Sequence, residues 1–254
     1  MSPAAPAYPS AHGLLAGKKV LVTAAAGTGI GFAAAKRCVE EGATVVISDK
    51  HERRLAESAD ELGVTGIACD VTAEDDVQRL IAGANEATGG IDVFINNAGL
   101  GGEVPIVDMT DDQWNLVLDV TLNGTFRCMR AEMTHLYAHG GGVIVNNASV
   151  LGWRAQHGQA HYAAAKAGVM ALTRCAAIEA AAHDVRINAV APSLAMHPFL
   201  AKVTSEDLLA ELESREAFGR AAEPWEIANV MVFLASEYST YMTGEVVSVS
   251  SQHP

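Results

Sequence analysis

The sequence predicts an α/β fold: a single domain over residues 14–254, in which a doubly wound, seven-stranded parallel sheet carries helices on both faces. Three observations lead there. Short, nearly all-apolar runs alternate with stretches of helical composition, as strands buried on both faces between crossover helices require. The first apolar run leads through a glycine-rich turn straight into a helical stretch. A chain of 254 residues, half of them hydrophobic, suits one α/β domain with a large core.

In chain order, Lys18–Thr23 reads as the first strand, Ala24–Gly31 as the turn and Phe32–Glu41 as the first helix. Ala43–Ser48 is a strand closed by Asp49, and Glu52–Leu62 a helix. Val64–Cys69 is a strand closed by Asp70. Glu74–Ala87 is a helix, and Ile91–Ile95 a strand running into Asn96-Asn97-Ala98-Gly99. After a loop over Leu100–Met109, one helix is expected from Asp111 to about His139. It has acids in its first turn, as the helix dipole prefers, and Gly140-Gly141-Gly142 stops it. Val143–Asn147 is the fifth strand, followed by Ala148-Ser149-Val150; Gly158–His183 is a helix and Val185–Val190 the sixth strand. Leu194–Glu216 is expected to be helical in part. Pro224 opens a helix over Trp225–Ser236, and Gly244–Val249 is the last strand. Residues 1–13, rich in Pro and Ala, lack the basic start and apolar stretch of a signal peptide and read as a flexible tail.

A formal net charge of −13 argues against a nucleic-acid or anionic-membrane surface, and no apolar run reaches the length of a membrane span. Cys38, Cys69, Cys128 and Cys175 form no CxxC pair and sit among small or apolar residues, which fits reduced thiols in a cytoplasmic protein. His135 and His139, like His157 and His161, are four apart on expected helix. Neither pair lies in an HExxH pattern or has an evident third ligand, so no metal is expected.

Glycines in a strand–turn–helix context let the backbone approach a pyrophosphate, with the N–H groups of the helix start facing it. Asp49 lies twenty residues after Gly29, at the end of the next strand, where an acid meets an adenosine ribose. That context makes the domain a Rossmann fold. Ligands of such sheets bind at the C-terminal strand ends, where Gly29, Asp49, Asp70 and Asn96–Gly99 all fall. Tyr162 and Lys166, four apart, share one face of a helix. Unperturbed, neither titrates near neutral pH; an ammonium beside a phenol favours the phenolate, and a second positive charge, such as an oxidised nicotinamide ring, favours it further. Ser149, thirteen residues earlier on a strand end, is placed to hydrogen-bond a substrate oxygen beside the phenol. No Gly-x-Ser-x-Gly motif is present, so Ser149 is not read as a hydrolase nucleophile.

The glycine turn ending Gly29-Ile30-Gly31, Asp70-Val71, Asn96-Asn97-Ala98-Gly99, Ser149, Tyr162-x-x-x-Lys166 and Arg186-Ile187-Asn188 before Pro192 together resemble the short-chain dehydrogenase/reductase family, as do Gly219-Arg220 and Tyr241-Met242-Thr243-Gly244. The resemblance implies NAD(P)-dependent interconversion of a secondary alcohol and a ketone. Tyr162 is then the acid/base, Lys166 lowers its pKa and holds ribose hydroxyls, and Ser149 polarises the substrate oxygen. The implied dinucleotide site is Thr23, Gly27, Thr28, Gly29, Ile30, Asp49, Asp70, Val71, Asn97, Ala98, Gly99, Tyr162, Lys166, Pro192, Ser193 and Leu194. Asp49 favours NAD; Lys50, Arg53 and Arg54 just behind it keep NADP as the alternative. A homotetramer is implied as well.

Several positions depart from the family pattern. Ala24 stands where Gly is usual, with one extra residue before Gly29. Thr121 holds the place of a catalytic Asn that helps bind a relay water, and its hydroxyl is expected to take over that water. Pro192 is followed by Ser193 rather than Gly, and His197 stands where a Thr often meets the carboxamide. The chain ends Val249-Ser250-Ser251-Gln252 instead of Asp-Gly-Gly. These departures are similar to actinobacterial short-chain dehydrogenases of steroid catabolism, which implies a hydroxy or keto hydrindane acyl-CoA substrate. Trp153, Arg154, Gln156, His157 and His197 would line its mouth. A 3-oxoacyl-thioester reductase and a catalytically silent dinucleotide-binding module are the other two readings.

Overall fold

The computed structural model describes residues 6–196 and 206–251. Among them, seven parallel strands form one sheet: β1 (Lys19–Val22), β2 (Thr44–Asp49), β3 (Thr65–Ala68), β4 (Val93–Asn96), β5 (Gly142–Asn147), β6 (Val185–Pro192) and β7 (Val246–Val249). Their order is β3-β2-β1-β4-β5-β6-β7. β1 pairs with both β2 and β4, so the winding reverses there, and the crevice beyond those strand ends is the place such sheets offer a ligand.

Strand residues alternate between two cores, as the period of two dictates. Val20, Val22, Val93, Ile95, Val143 and Val145 face one side, under α1 (Ile30–Glu40), α2 (Glu52–Leu62) and α8 (Pro224–Ala235). Leu21, Phe94 and Ile144 face the other, under α3 (Glu74–Thr88), α5 (Gly124–His139) and α6 (Ala160–Ala180). This alternation sends Asn96 and Asn146, register partners on β4 and β5, to the α5/α6 side.

The expected elements are present, with differences in extent. β1, β3 and β7 each span four residues where the sequence predicts six. β6 runs on to Pro192. The single helix expected from Asp111 to His139 is two. α4 (Asp111–Leu118), started by a Thr110–Gln113 capping box, is joined to α5 by a π-helical turn over Asp119–Asn123. From the stretch expected to be partly helical, α7 (Glu206–Arg215) is described.

Residues 8–14, most of them in the stretch read as a flexible tail, lie against α1. The Arg37 guanidinium donates to the carbonyls of Pro9 and Ser10, and the Glu41 carboxylate accepts the N–H groups of His12 and Leu14. The Tyr8 ring meets Trp225 of α8 edge-on at 5.3 Å. Among the described residues, no helix is long and apolar enough to cross a membrane.

Candidate active site

The glycine turn is held from β4. Thr23 Oγ1 accepts the N–H of Asn97 at 3.0 Å, and Asn97 Nδ2 donates to the Ala24 carbonyl at 2.9 Å. A Cβ on Gly31 would lie 2.4 Å from both that carbonyl and the Asn97 amide, so only glycine lets helix and turn approach this closely. Ala24 itself has φ +49°, the left-handed conformation glycine adopts without strain. α1 begins after Gly29 with no side-chain cap, which leaves backbone N–H groups open towards the crevice. Ser58, absent from the sequence reading, accepts the Gly27 N–H at 3.0 Å.

Asp49, at the end of β2, accepts the N–H of His51 at 2.9 Å and faces the Ala26 N–H at 3.4 Å. Asp70 Oδ1 takes the N–H and hydroxyl of Thr72. Burial alone would raise its carboxyl, but those bonds and the charges of Lys50 and Arg127 hold it below its usual value. Val71 packs into the α3/α5 core beneath. Pro192 ends β6; the Ser193 N–H bonds Val249, and the Leu194 N–H faces Glu216 at 3.5 Å.

β5 ends in Asn147, and Ser149 follows as the cap of a short 3₁₀ turn, its Oγ accepting the Leu151 N–H at 3.2 Å. The Ser149 hydroxyl acts on the Tyr162 phenol, favouring its ionised form. Lys166, one turn after Tyr162 on α6, is buried and donates to the Asn147 carbonyl at 2.5 Å, with its Nζ 5.6 Å from the phenol ring centroid. Burial pushes the phenol up to about 12, with Ser149 working against it, and lowers the ammonium to about 8. Desolvation dominates the phenol, and Ser149 rather than Lys166 is the group that works against it.

Thr121 is fully buried in the π-helical turn, where its hydroxyl accepts the Leu100 N–H at 3.0 Å and donates to the Leu100 carbonyl at 3.1 Å. Its proton and one of its two acceptor positions are used in bracing the loop. That loop packs flat on the site. A Cβ on Gly101 would lie 3.5 Å from the Tyr162 ring, and one on Gly99 3.2 Å from Lys166 Nζ.

At the mouth, Trp153 is exposed, Gln156 half-buried, and His157 exposed with its Nδ1 4.0 Å from Glu103. His197 lies outside the described residues. His161, which the sequence reading weighed only as a metal ligand, is buried; its Nδ1 accepts the Tyr162 N–H at 2.9 Å. His135 and His139 stack ring on ring at 4.1 Å. Beneath the strand ends lies a network the sequence reading missed: Asn96 Nδ2 donates to Glu132 at 2.8 Å and to Asn146 at 3.1 Å, and Asn146 donates to Thr173 of α6 at 2.9 Å.

A family model described as Enoyl-(Acyl carrier protein) reductase matches residues 24–251. A solved structure described as a short chain dehydrogenase from Mycobacterium smegmatis superposes with a TM-score of 0.89, at 57% identity over 99% of both chains. The protein belongs to the short-chain dehydrogenase/reductase family. Within this family, the chain is 62% identical, over 98% of each sequence, to the Mycobacterium tuberculosis protein named (5R,7aS)-5-hydroxy-7a-methyl-1-oxo-2,3,5,6,7,7a-hexahydro-1H-indene-carboxyl-CoA reductase. It is 36% identical to cis-4-hydroxycyclohexanecarboxylate dehydrogenase of Sinomonas cyclohexanicum, over 91% of this chain and 95% of that one. As a short-chain dehydrogenase/reductase it is an oxidoreductase of CH–OH and keto groups that uses a nicotinamide dinucleotide.

Proposed function

We propose that this protein interconverts the ring hydroxyl and ring ketone of a hydrindane acyl-CoA formed in steroid ring C/D breakdown. The observation that carries this reading is 62% identity, end to end, with the relative whose name specifies that chemistry, together with an intact Ser149–Tyr162–Lys166 arrangement. Both curated relatives reported above are named for a hydroxylated ring that also bears a carboxyl function.

The strand ends fit a dinucleotide: a turn only Gly31 permits, open N–H groups at the start of α1, and a buried acceptor on Asn147 with no partner among the described residues. Thr23, Gly27–Ile30, Asp49, Asp70, Val71, Asn97–Gly99, Tyr162, Lys166 and Pro192–Leu194 would hold it. When bound, the nicotinamide ring gives or takes the hydride and, oxidised, brings positive charge beside the phenol. The Ser149 oxygen already accepts Leu151 N–H, so its proton is the part left to polarise a substrate oxygen. Tyr162 Oη donates its proton to that oxygen in reduction and takes one from the alcohol in oxidation. Lys166 holds ribose hydroxyls and adds its charge to the phenolate form. Thr121 acts by keeping the Leu100 loop against the site. Trp153, Gln156, His157 and His197 would form the mouth, an aromatic and polar rim suited to a bulky anionic substrate.

NAD is the favoured dinucleotide, because the buried Asp49 carboxylate repels a 2′-phosphate; Lys50, Arg53 and Arg54 support NADP as the alternative. The protein would work in the cytoplasm as a homotetramer. Leu116, Phe126 and Ile178 are exposed on α4, α5 and α6, and Tyr238 and Tyr241 before the β7 edge, which supports two apolar contact faces. A panel assay by nicotinamide absorbance tests the substrate. Hydrindane CoA thioesters are expected to turn over at least tenfold better than acetoacetyl thioesters; the reverse order would replace this reading with the 3-oxoacyl-thioester reductase.

A further inference from the structure

We propose that Asn147 is a positioning residue that ties Lys166 to the glycine turn and keeps its side-chain oxygen for a donor on the nicotinamide half of the bound dinucleotide. The inference rests on the dehydrogenase reading above. β4 and β5 pair Asn96 with Asn146, which brings Asn97 and Asn147 side by side just beyond. The orientation of both amides follows from a carbonyl. The Ala24 oxygen can only accept, so Asn97 turns its Nδ2 to it, at 2.9 Å. Asn97 Oδ1 can then be met only by an N–H, and Asn147 Nδ2 meets it at 2.9 Å. What remains of Asn147 is therefore its oxygen. Oδ1 is buried and has no hydrogen-bond partner among the described residues.

A buried acceptor left unmet costs about 1–3 kcal/mol, and in a native fold it needs a reason. Its surroundings supply one. The carbonyl of the same residue takes the Lys166 ammonium, and Gly99 keeps the neighbouring space free of a side chain. A ribose hydroxyl or a carboxamide N–H entering at these strand ends is the donor this oxygen fits. Occupying it would connect the nicotinamide half of the site, through two amides in series, to the turn that faces the pyrophosphate. An apolar side chain at this position would neither hold Asn97 nor accept the ligand.

Calorimetric titration of the full chain with NAD and NADP tests this, using wild type, Asn147→Leu and Asn147→Gln. Asn147→Leu is expected to weaken dinucleotide binding about tenfold, to shrink the rise in melting temperature at saturating dinucleotide, and to raise KM for the dinucleotide more than it lowers kcat. Asn147→Gln, which keeps both the amide donor and the acceptor oxygen, is expected to bind within about threefold of wild type. Wild-type affinity in Asn147→Leu, or equal losses in both variants, would overturn the inference while leaving the dehydrogenase reading standing. If Asn147→Leu does not fold, a tenfold loss in a folded Asn147→Gln overturns it alone. Wild type that binds neither dinucleotide would remove the reading and the inference together.

Discussion

Two buried polar regions in this molecule are built on opposite rules. In the α1 clamp, the Glu41 carboxylate is fully buried, accepts the N–H groups of His12 and Leu14 at 2.9 Å, and lies 2.6 Å from the Arg37 guanidinium. Burial alone would raise its pKa, but those partners hold it below the usual value, and it stays charged. At the strand ends, the equally buried Glu132 has an amide partner, Asn96, and no cation in an ion pair with it among the described residues. Burial pushes its carboxyl up to about 8, with Asn96 working against it, which favours the protonated acid. The clamp invests its polar groups in each other. The strand-end region leaves an acceptor over: Asn147 Oδ1, which has no hydrogen-bond partner among the described residues, beside the carbonyl that takes the Lys166 ammonium. Partners, not burial, decide whether an internal carboxyl is charged.

Substitutions can break this contrast. The largest stability effect is expected from Glu41→Ala, which strands the Arg37 charge and frees the N-terminal stretch. Denaturant unfolding should show a loss of roughly 3–5 kcal/mol; a loss below about 1 kcal/mol would mean the clamp contributes no more than a surface pair. Glu132→Gln sharpens the other side. Because the folded acid keeps a proton that the unfolded chain releases, wild-type stability should fall as pH rises from about 4.5 to about 8. The glutamine variant should gain on wild type across that window by as much as about 1.4 kcal/mol per pH unit. Parallel melting curves from pH 5 to 8 would show that Glu132 is ionised throughout. The smallest effect is expected at Ala24→Gly, where relief of the left-handed strain should stabilise by about 1 kcal/mol, less whatever the unfolded chain gains in freedom.

The contrast also explains what the sequence made legible. Short, nearly all-apolar runs gave all seven strands, and Tyr162, Lys166 and Ser149 could be placed because strand end and helix face follow from local pattern. Glu132 was not, because Arg130-Ala131-Glu132-Met133 reads as a solvated helix face, and only packing against β4, β5 and α6 buries its third residue. The break at Thr121 was hidden for a similar reason. Val120-Thr121-Leu122-Asn123 has nothing that stops a helix; the widened turn carries the one bond pair, to Leu100, that no local pattern encodes. The stretch from Tyr8 to Leu14 looked unstructured because its partners, Arg37, Glu41 and Trp225, are distant in sequence.

The central claim is that Tyr162 moves the proton while a hydride is exchanged with the nicotinamide. The direct measurement is nicotinamide absorbance during turnover of a keto or hydroxy hydrindane acyl-CoA, with wild type and Tyr162→Phe compared at equal dinucleotide occupancy. Loss of the hydroxyl should lower kcat by roughly 10²–10⁴-fold with dinucleotide binding retained. Turnover by Tyr162→Phe at the wild-type rate would contradict the account.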